Sequence, residues 1–374
     1  MTPLGREIRD RIAADGPITL ERYMALALGH PRFGYYMTRD PLGVSGDFTT
    51  SPEISQMFGE LIGLWAAETW SIMGRPDGLR LVELGPGRGT LMADALRALR
   101  VLPAFRDAAT VHLVETSPPL RAAQARTLEG SGAEVSWHAC LDEVPAGPAL
   151  VIANEFFDAL PIRQLVQTDT GWHERVVGLG PDGALVLGLA PDPDGRITNP
   201  GRTGDILEIN EAGLAIAHAL AGRLVAEGGA ALVIDYGHLA SAPGDTLQAV
   251  RRHGFADPLA DPGEADLTAH VDFAALARAV RKAGAAVHGP ATQRDFLRSL
   301  GINARAARLR HGASPEQAGA VEAALQRLTG GEPGQMGELF KVVAFSDPRL
   351  PSLPGLLPPQ PGAASHSQAL EPTC

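Results

Sequence analysis

Residues 79–100 read LRLVELGPGRGTLMADALRALR. A short apolar strand runs through Glu83 into three alternating glycines, Gly85, Gly87 and Gly89, and a helix begins at about Thr90. Glycine tolerates the left-handed backbone of a tight turn and lets a ligand approach the main chain closely. Working outward, the runs TVHLVE, AEVSWH, ALVIANEF, AALVIDYG, AAVHG and LFKVVAF alternate with amphipathic helical stretches. That alternation predicts an α/β fold, a parallel sheet covered by helices on both faces.

An ordinary Gly-rich βα turn would give the same local pattern, so two neighbouring acids decide its use. Glu83 stands just before the glycines, where it suits a cationic amino group, and Glu115 ends the next strand, where a carboxylate can accept both hydroxyls of a ribose. A dinucleotide fingerprint spaces its glycines GxGxxG and puts its ribose acid about 20 residues on. Here the spacing is GxGxG and Glu115 lies 26 residues beyond Gly89. No GK[ST] follows, which removes a nucleotide P-loop. S-adenosylmethionine, with an amino-acid end and a ribose but no pyrophosphate, fits better than NAD or ATP.

The 374 residues carry a formal charge of −11, with 45% hydrophobic and 20% charged residues. This is a globular composition with enough chain for a large core. The acidic balance argues against a non-specific nucleic-acid binder. Lys282 and Lys341 are the sole lysines, so arginine supplies nearly all positive charge. Cys140 and Cys374 make neither a disulfide framework nor a metal site, and no metal is expected. No apolar run is long enough for a membrane helix, and acids among the first residues are unlike a signal or transit peptide, so the expected location is cytoplasmic.

Three regions are expected. Residues 1–78 form an N-terminal helical cap, 79–346 the cofactor-binding core, and 347–374 a disordered Pro-rich tail. Within the core, 163–206 reads as an inserted β-hairpin around Pro181, Asp182 and Gly183, part of a lid. Residues 247–272, with Pro258 and Pro262, read as an ordered loop beside the strand ends. In the cap, Ser51, Pro52 and Glu53 predict a helix start with Ser51 as N-cap, continuing through Ile54, Met57, Phe58, Leu61, Ile62 and Trp65. The preceding loop, with Asp47 and Thr50, gathers small polar residues before a helix end that offers N–H donors to an anionic group.

ELGPGRGTL, GDFTTSPEISQMFGE, VETSP, NEFFDALP, DYGH and LTAHVDF, in that order between Ile18 and Phe345, resemble the MidA family of class I S-adenosylmethionine-dependent methyltransferases. The resemblance implies a Rossmann-like class I methyltransferase sheet. For the family's mitochondrial members, which are complex I assembly factors, it implies symmetric dimethylation of a protein arginine. Open α/β sheets react outside the carboxyl ends of their strands. There ALVIANEF delivers Asn154, Glu155 and Asp158, and AALVIDYGH delivers Asp235, Tyr236 and His238.

A guanidinium is protonated at any ordinary pH, so methylating it calls for carboxylates that bind the planar cation and accept the released proton. Glu155, Asp158 and Asp47 are therefore the expected catalytic acids. Glu83, Gly85, Gly87, Gly89, Glu115, Asn154, Thr50 and Ser51 are expected to bind the cofactor, and Tyr236 and His238 to line the substrate pocket. Helix or turn capping is the lesser, competing explanation for Asn154, Glu155 and Asp158. His270 reads as structural, and Trp65, Trp70, Trp137 and Trp172 as packing. A protein substrate is expected, and a homodimer is compatible with the sequence. The competing functions are a small-molecule N- or O-methyltransferase and a non-catalytic cofactor-binding assembly factor, with a hydride-transferring oxidoreductase the weakest.

Overall fold

The computed structural model describes residues 1–38 and 50–357. Seven strands form the main path of the central sheet: β1 Leu79–Leu84, β2 Ala109–Val114, β3 Val135–His138, β4 Ala149–Asn154, β5 Gly229–His238, β6 Ala286–Thr292 and β7 Phe340–Ser346, and the two-residue strand Val271–Asp272 pairs in parallel with the end of β5 as an eighth. Their order is β3-β2-β1-β4-β5-β7-β6. β1 to β5 pair in parallel, and β7 runs antiparallel between β5 and β6. Every residue of β4 is buried, as expected of a strand covered on both sides.

Leu81, Leu150 and Ile152 point to one face and meet the helices Gln56–Ile72 and Thr90–Ala98. Val82, Leu84, Val151 and Ala153 point to the other and meet Glu211–Glu227 and Phe273–Lys282. The strand order turns back between β1 and β4, which opens a cleft at their carboxyl ends.

The expected helix from Ser51 is broken. A four-residue helix, Ser51–Ile54, ends at Ser55, whose extended backbone and hydroxyl start the helix Gln56–Ile72 by accepting from Met57 N at 3.2 Å. The expected cap 1–78 also divides. Helices Pro3–Asp15 and Leu20–Gly29 pack with Ile162, Val177, Ala249 and Leu267, whereas Met57–Trp70 belong to the core of the central sheet.

The expected hairpin at 163–206 is larger than a lid. Arg163–Thr168, Gly171–Leu179, Leu185–Pro193 and Ile206–Ile209 form an antiparallel sheet, and the N-terminal strand Ile18–Thr19 joins it by pairing with Val176 and Val177. The expected loop at 247–272 holds a second small sheet, Gln248–Arg251, Gly254–Ala256 and Asp266–Thr268. Pro258 and Pro262 do block regular structure, but only in the connection between its last two strands.

The Pro-rich stretch is packed further than expected. Leu353 and Leu356 are buried in the core, and the Leu357 carbonyl accepts from Gly289 N at 3.2 Å. Residues 358–374, including Cys374, lie outside the described residues. Among the described residues no helix is long and apolar enough to cross a membrane.

Candidate functional site

A cavity of about 680 Å³ opens at the carboxyl ends of β1, β2, β4 and β5. Gly85, Gly87 and Gly89 all hold positive φ, at 62°, 53° and 82°. At Gly85 a Cβ would also stand 2.9 Å from Cδ2 of Phe156, so the turn requires glycine on two counts. Gln124 clamps this loop. Its amide donates to Gly87 O at 2.8 Å and to Glu115 Oε2 at 3.2 Å, and its oxygen accepts from Trp137 Nε1 at 2.9 Å. Neither Gln124 nor this role of Trp137 was expected from the sequence; both sit on elements that carry no motif.

Glu83 is buried, and its Oε2 has no partner among the described residues. Burial pushes its carboxyl up to about 8. Glu115 is held by Ser117 N at 2.8 Å besides Gln124, which leaves lone pairs on both oxygens for further donors. Asn154 donates to Glu155 Oε1 at 3.1 Å, while its own Oδ1 is buried without a partner among the described residues.

β4 passes into a turn at Glu155, whose φ of 52° is unusual for a residue with a side chain. The turn is held from β5: Glu155 N donates to Ile234 O at 2.9 Å, and buried Asp235 accepts from Phe157 N at 3.0 Å and Asp158 N at 3.2 Å. Glu155 and Asp158 therefore project into the cavity from a braced backbone. Glu155 Oε1 also accepts from Ser51 N at 3.0 Å.

The Tyr236 hydroxyl lies beside Asp158 and works against the rise of its carboxyl, and Asp158 Oδ1 is buried without a partner among the described residues. Desolvation and the neighbouring Asp158 charge raise the Glu155 carboxyl to about 8, against the bond from Ser51. Desolvation raises Asp158 to about 6. Asp235 lies well above the usual carboxylate range because it is buried beside two acids. Asp266 adds a further buried carboxylate to the wall and accepts from the Tyr36 hydroxyl at 2.8 Å.

The structure thus brings Glu83, Glu115, Asn154, Glu155, Asp158 and Tyr236 around one cavity, with Thr50 at its edge. Other expected residues fall elsewhere. Ser51 is wholly buried and its hydroxyl faces Gln293 and Met336, so only its N–H serves the site, by holding Glu155. His238 is outside the cavity wall, 3.9 Å from Asp272, because β5 has passed the cleft by that point. His270, expected to be structural, lines the cavity instead of His238: its ring stands edge-on to Tyr236, with centroids 5.5 Å apart. Asp47 lies outside the described residues.

Asp266, Thr268 and His270 line the wall at alternate positions, while Leu267 and Ala269 turn to the N-terminal helices. That period of two is visible in ADLTAH and was the available signal. Among the described residues no group of three or more His, Cys, Asp or Glu could hold a metal.

The chemistry of this wall fits a cofactor that carries both a ribose and an ammonium group. Glu83 and Asn154 offer buried acceptors that lack donors among the described residues, next to the glycine turn.

Comparison with known proteins bears on the same region. The model of a family of S-adenosyl-L-methionine-dependent methyltransferases matches residues 61–291. The chain is 40% identical to the protein arginine methyltransferase NDUFAF7 homolog, mitochondrial, of Drosophila melanogaster, over 91% of this chain and 84% of that one. It is 39% identical to the mitochondrial protein arginine methyltransferase NDUFAF7 of Homo sapiens, over 82% and 75%.

A crystal structure from Burkholderia thailandensis bound to S-adenosyl-homocysteine superposes with a TM-score of 0.82 at 31% identity, covering 94% of each chain. The cytoplasmic expectation does not stand against these relatives, whose names place them in mitochondria. Acids near the start of a sequence do not decide its compartment.

Proposed function

The chain belongs to the family of S-adenosyl-L-methionine-dependent methyltransferases, and we propose that its acceptor is a guanidinium nitrogen of an arginine in a protein. The observation that carries this reading is the cluster of Glu155, Asp158 and Asp266 in one desolvated wall, with Asp235 behind it. Buried carboxylates gain most from a ligand that brings both positive charge and several N–H donors. A guanidinium brings five donors in a plane. The relatives named as protein arginine methyltransferases support the same acceptor, and the family resemblance points to a subunit of a respiratory NADH dehydrogenase as the protein that carries it.

In this reading Glu83 and Asn154 hold the amino-acid end of the cofactor, Glu115 holds its ribose, and the glycine turn gives the room between them. When bound, S-adenosyl-L-methionine supplies an electrophilic methyl group on a sulfonium. Glu155 and Asp158 bind the guanidinium and fix which nitrogen faces that methyl, so their contribution is mainly positioning. Asp158 is kept oriented by Tyr236, and Glu155 by Ser51 and Asn154. The nitrogen that gains a methyl loses a proton. Glu155, with a carboxyl pushed up to about 8, is the stronger base of the two acids.

Labelled S-adenosyl-L-methionine, purified protein and an extract of cells lacking it test the acceptor directly. A labelled protein whose modified residue is arginine by mass spectrometry is the expected result; label confined to metabolites would overturn it. Glu155→Gln and Asp158→Asn should each lower transfer by at least about 100-fold while S-adenosylhomocysteine affinity stays within a few-fold. Full activity in both variants would remove these roles.

A further inference from the structure

Phe255 is the most exposed large apolar side chain among the described residues, at 85%, and nothing in methyl transfer uses it. Its position follows from strand register. Gln248–Arg251 is the middle strand of the small sheet, with Asp266–Thr268 on one side and Gly254–Ala256 on the other. Val250 stands opposite Asp266 across one boundary and opposite Phe255 across the other.

Directly opposed residues of antiparallel strands present their side chains on the same face. Asp266, Val250 and Phe255 are therefore one row on one face of the sheet. The first two line the cavity. The third continues the row beyond the cavity and into solvent. The opposite face is already occupied, since Leu267, Ala249 and Ala256 pack with the N-terminal helices.

The hairpin carrying Phe255 is fixed in place. Its two-residue turn, Arg252 and His253, has positive φ at both positions, as a tight hairpin of matching twist requires. Arg251 is held by Asp261 at 3.2 Å and Glu264 at 3.7 Å. An aromatic ring presented to water on a pinned hairpin, in line with an acidic cavity, is placed to bind.

We infer that Phe255 docks the acceptor: a peptide whose arginine enters the cavity crosses the row Asp266, Val250, Phe255 and seats an apolar side chain on the ring. The inference rests on the protein-arginine reading above. Neighbouring strands lie about 4.8 Å apart, which puts Phe255 about 10 Å from Asp266 along the row. An extended chain covers that distance in about three residues. The seated side chain thus belongs about three positions from the arginine.

The test uses the full chain, labelled S-adenosyl-L-methionine and a synthetic peptide library with one central arginine and degenerate flanks. Wild type should label peptides with Leu, Ile, Met or Phe about three positions from the arginine. Phe255→Ser should lose that selection and raise KM about tenfold on a selected peptide, with kcat within about twofold. Phe255→Leu should restore most of the selection.

Equal melting temperature and equal S-adenosylhomocysteine affinity in Phe255→Ser would assign the effect to docking. The same peptides labelled at the same KM by wild type and Phe255→Ser overturns the inference alone. No labelled peptide with wild type, despite bound S-adenosylhomocysteine, overturns the arginine reading and this inference with it.

Discussion

Glu155 and Asp158 differ in what holds them, and the difference sets an expected pH dependence. With Asp158 raised to about 6 and Glu155 to about 8, methyl transfer at saturating cofactor should rise with pH in two steps through those values. Initial rates between pH 5.5 and 9 check this, and Glu155→Gln should remove the upper step along with most of the rate. Stability should move the opposite way. A carboxyl at about 8 in the folded chain and near 4.5 in the unfolded one keeps its proton only when folded. That stabilisation is whole below about 4.5 and is lost as pH climbs through about 8.

The melting temperature of the ligand-free protein should therefore fall between pH 5 and 8, and less so in Glu83→Gln. An ammonium group placed against an ionised Glu83 relieves the cost of its charge, so S-adenosylhomocysteine, through the ammonium of its zwitterionic amino-acid end, should raise the melting temperature more at pH 8 than at pH 6. Equal shifts at the two values would mean that Glu83 does not meet the ligand's ammonium group. Much of this site was legible because Glu83, Glu115, Glu155 and Asp158 sit at strand ends within recognisable motifs. Gln124 and Asp266 were not, because a polar residue on a helix face or in a short strand has no local pattern to separate it from a surface residue.

Among elements, the glycine turn is the least tolerant of change. Gly85→Ala adds a Cβ at 2.9 Å from the Phe156 ring and demands positive φ of a residue that resists it. We expect a loss of about 1–3 kcal/mol of stability and little remaining cofactor affinity, read by urea unfolding and by titration with S-adenosylhomocysteine. Gln124→Ala should leave the helix Pro118–Leu128 intact, yet weaken cofactor binding about tenfold by releasing Gly87 and Glu115 together.

The seven central strands were readable from their apolar runs, β4 most plainly because every one of its residues is buried, whereas β3 is only half-buried along its length. The small sheet at 248–268 was not read, although ADLTAH alternates strictly. Strands of three or four residues fall below the length at which alternation outweighs prolines nearby. The break at Ser55 escaped for a different reason. Apolar spacing ran on across it, and a single cap within a helical pattern has little weight against that period.

At the scale of the whole molecule, Arg163 ties the added sheet to the core. Its guanidinium, 8% exposed, pairs with Glu174, with Asp194 at 2.7 Å and with Glu211 at 2.8 Å, the last at the start of the helix Glu211–Glu227. Arg163→Met leaves Glu174 and Glu211 without this cation, while Asp194 keeps Arg196 at 2.7 Å. We expect about 3–5 kcal/mol of destabilisation by urea unfolding, with S-adenosylhomocysteine affinity retained at low denaturant. A loss below about 1 kcal/mol would show the cluster to be a solvated surface network.

The strand Ile18–Thr19 and the first two helices pack against residues that come much later in the chain: Ile18 pairs with Val177, Ala249 and Leu267 cover the helices, and Thr2 donates to Pro262 O at 2.9 Å. A ribosome adding about 5–20 residues each second reaches that last partner on the order of tens of seconds after the first helix emerges. During that interval Leu4, Ile8, Leu20, Tyr23 and Met24, all buried in the finished protein, lack part of their cover, which arrives in turn with Ile162, Val177, Ala249 and Leu267. The first two helices therefore offer a chaperone a long opening, and the cavity wall built by residues 248–268 closes over them only once those residues have been made.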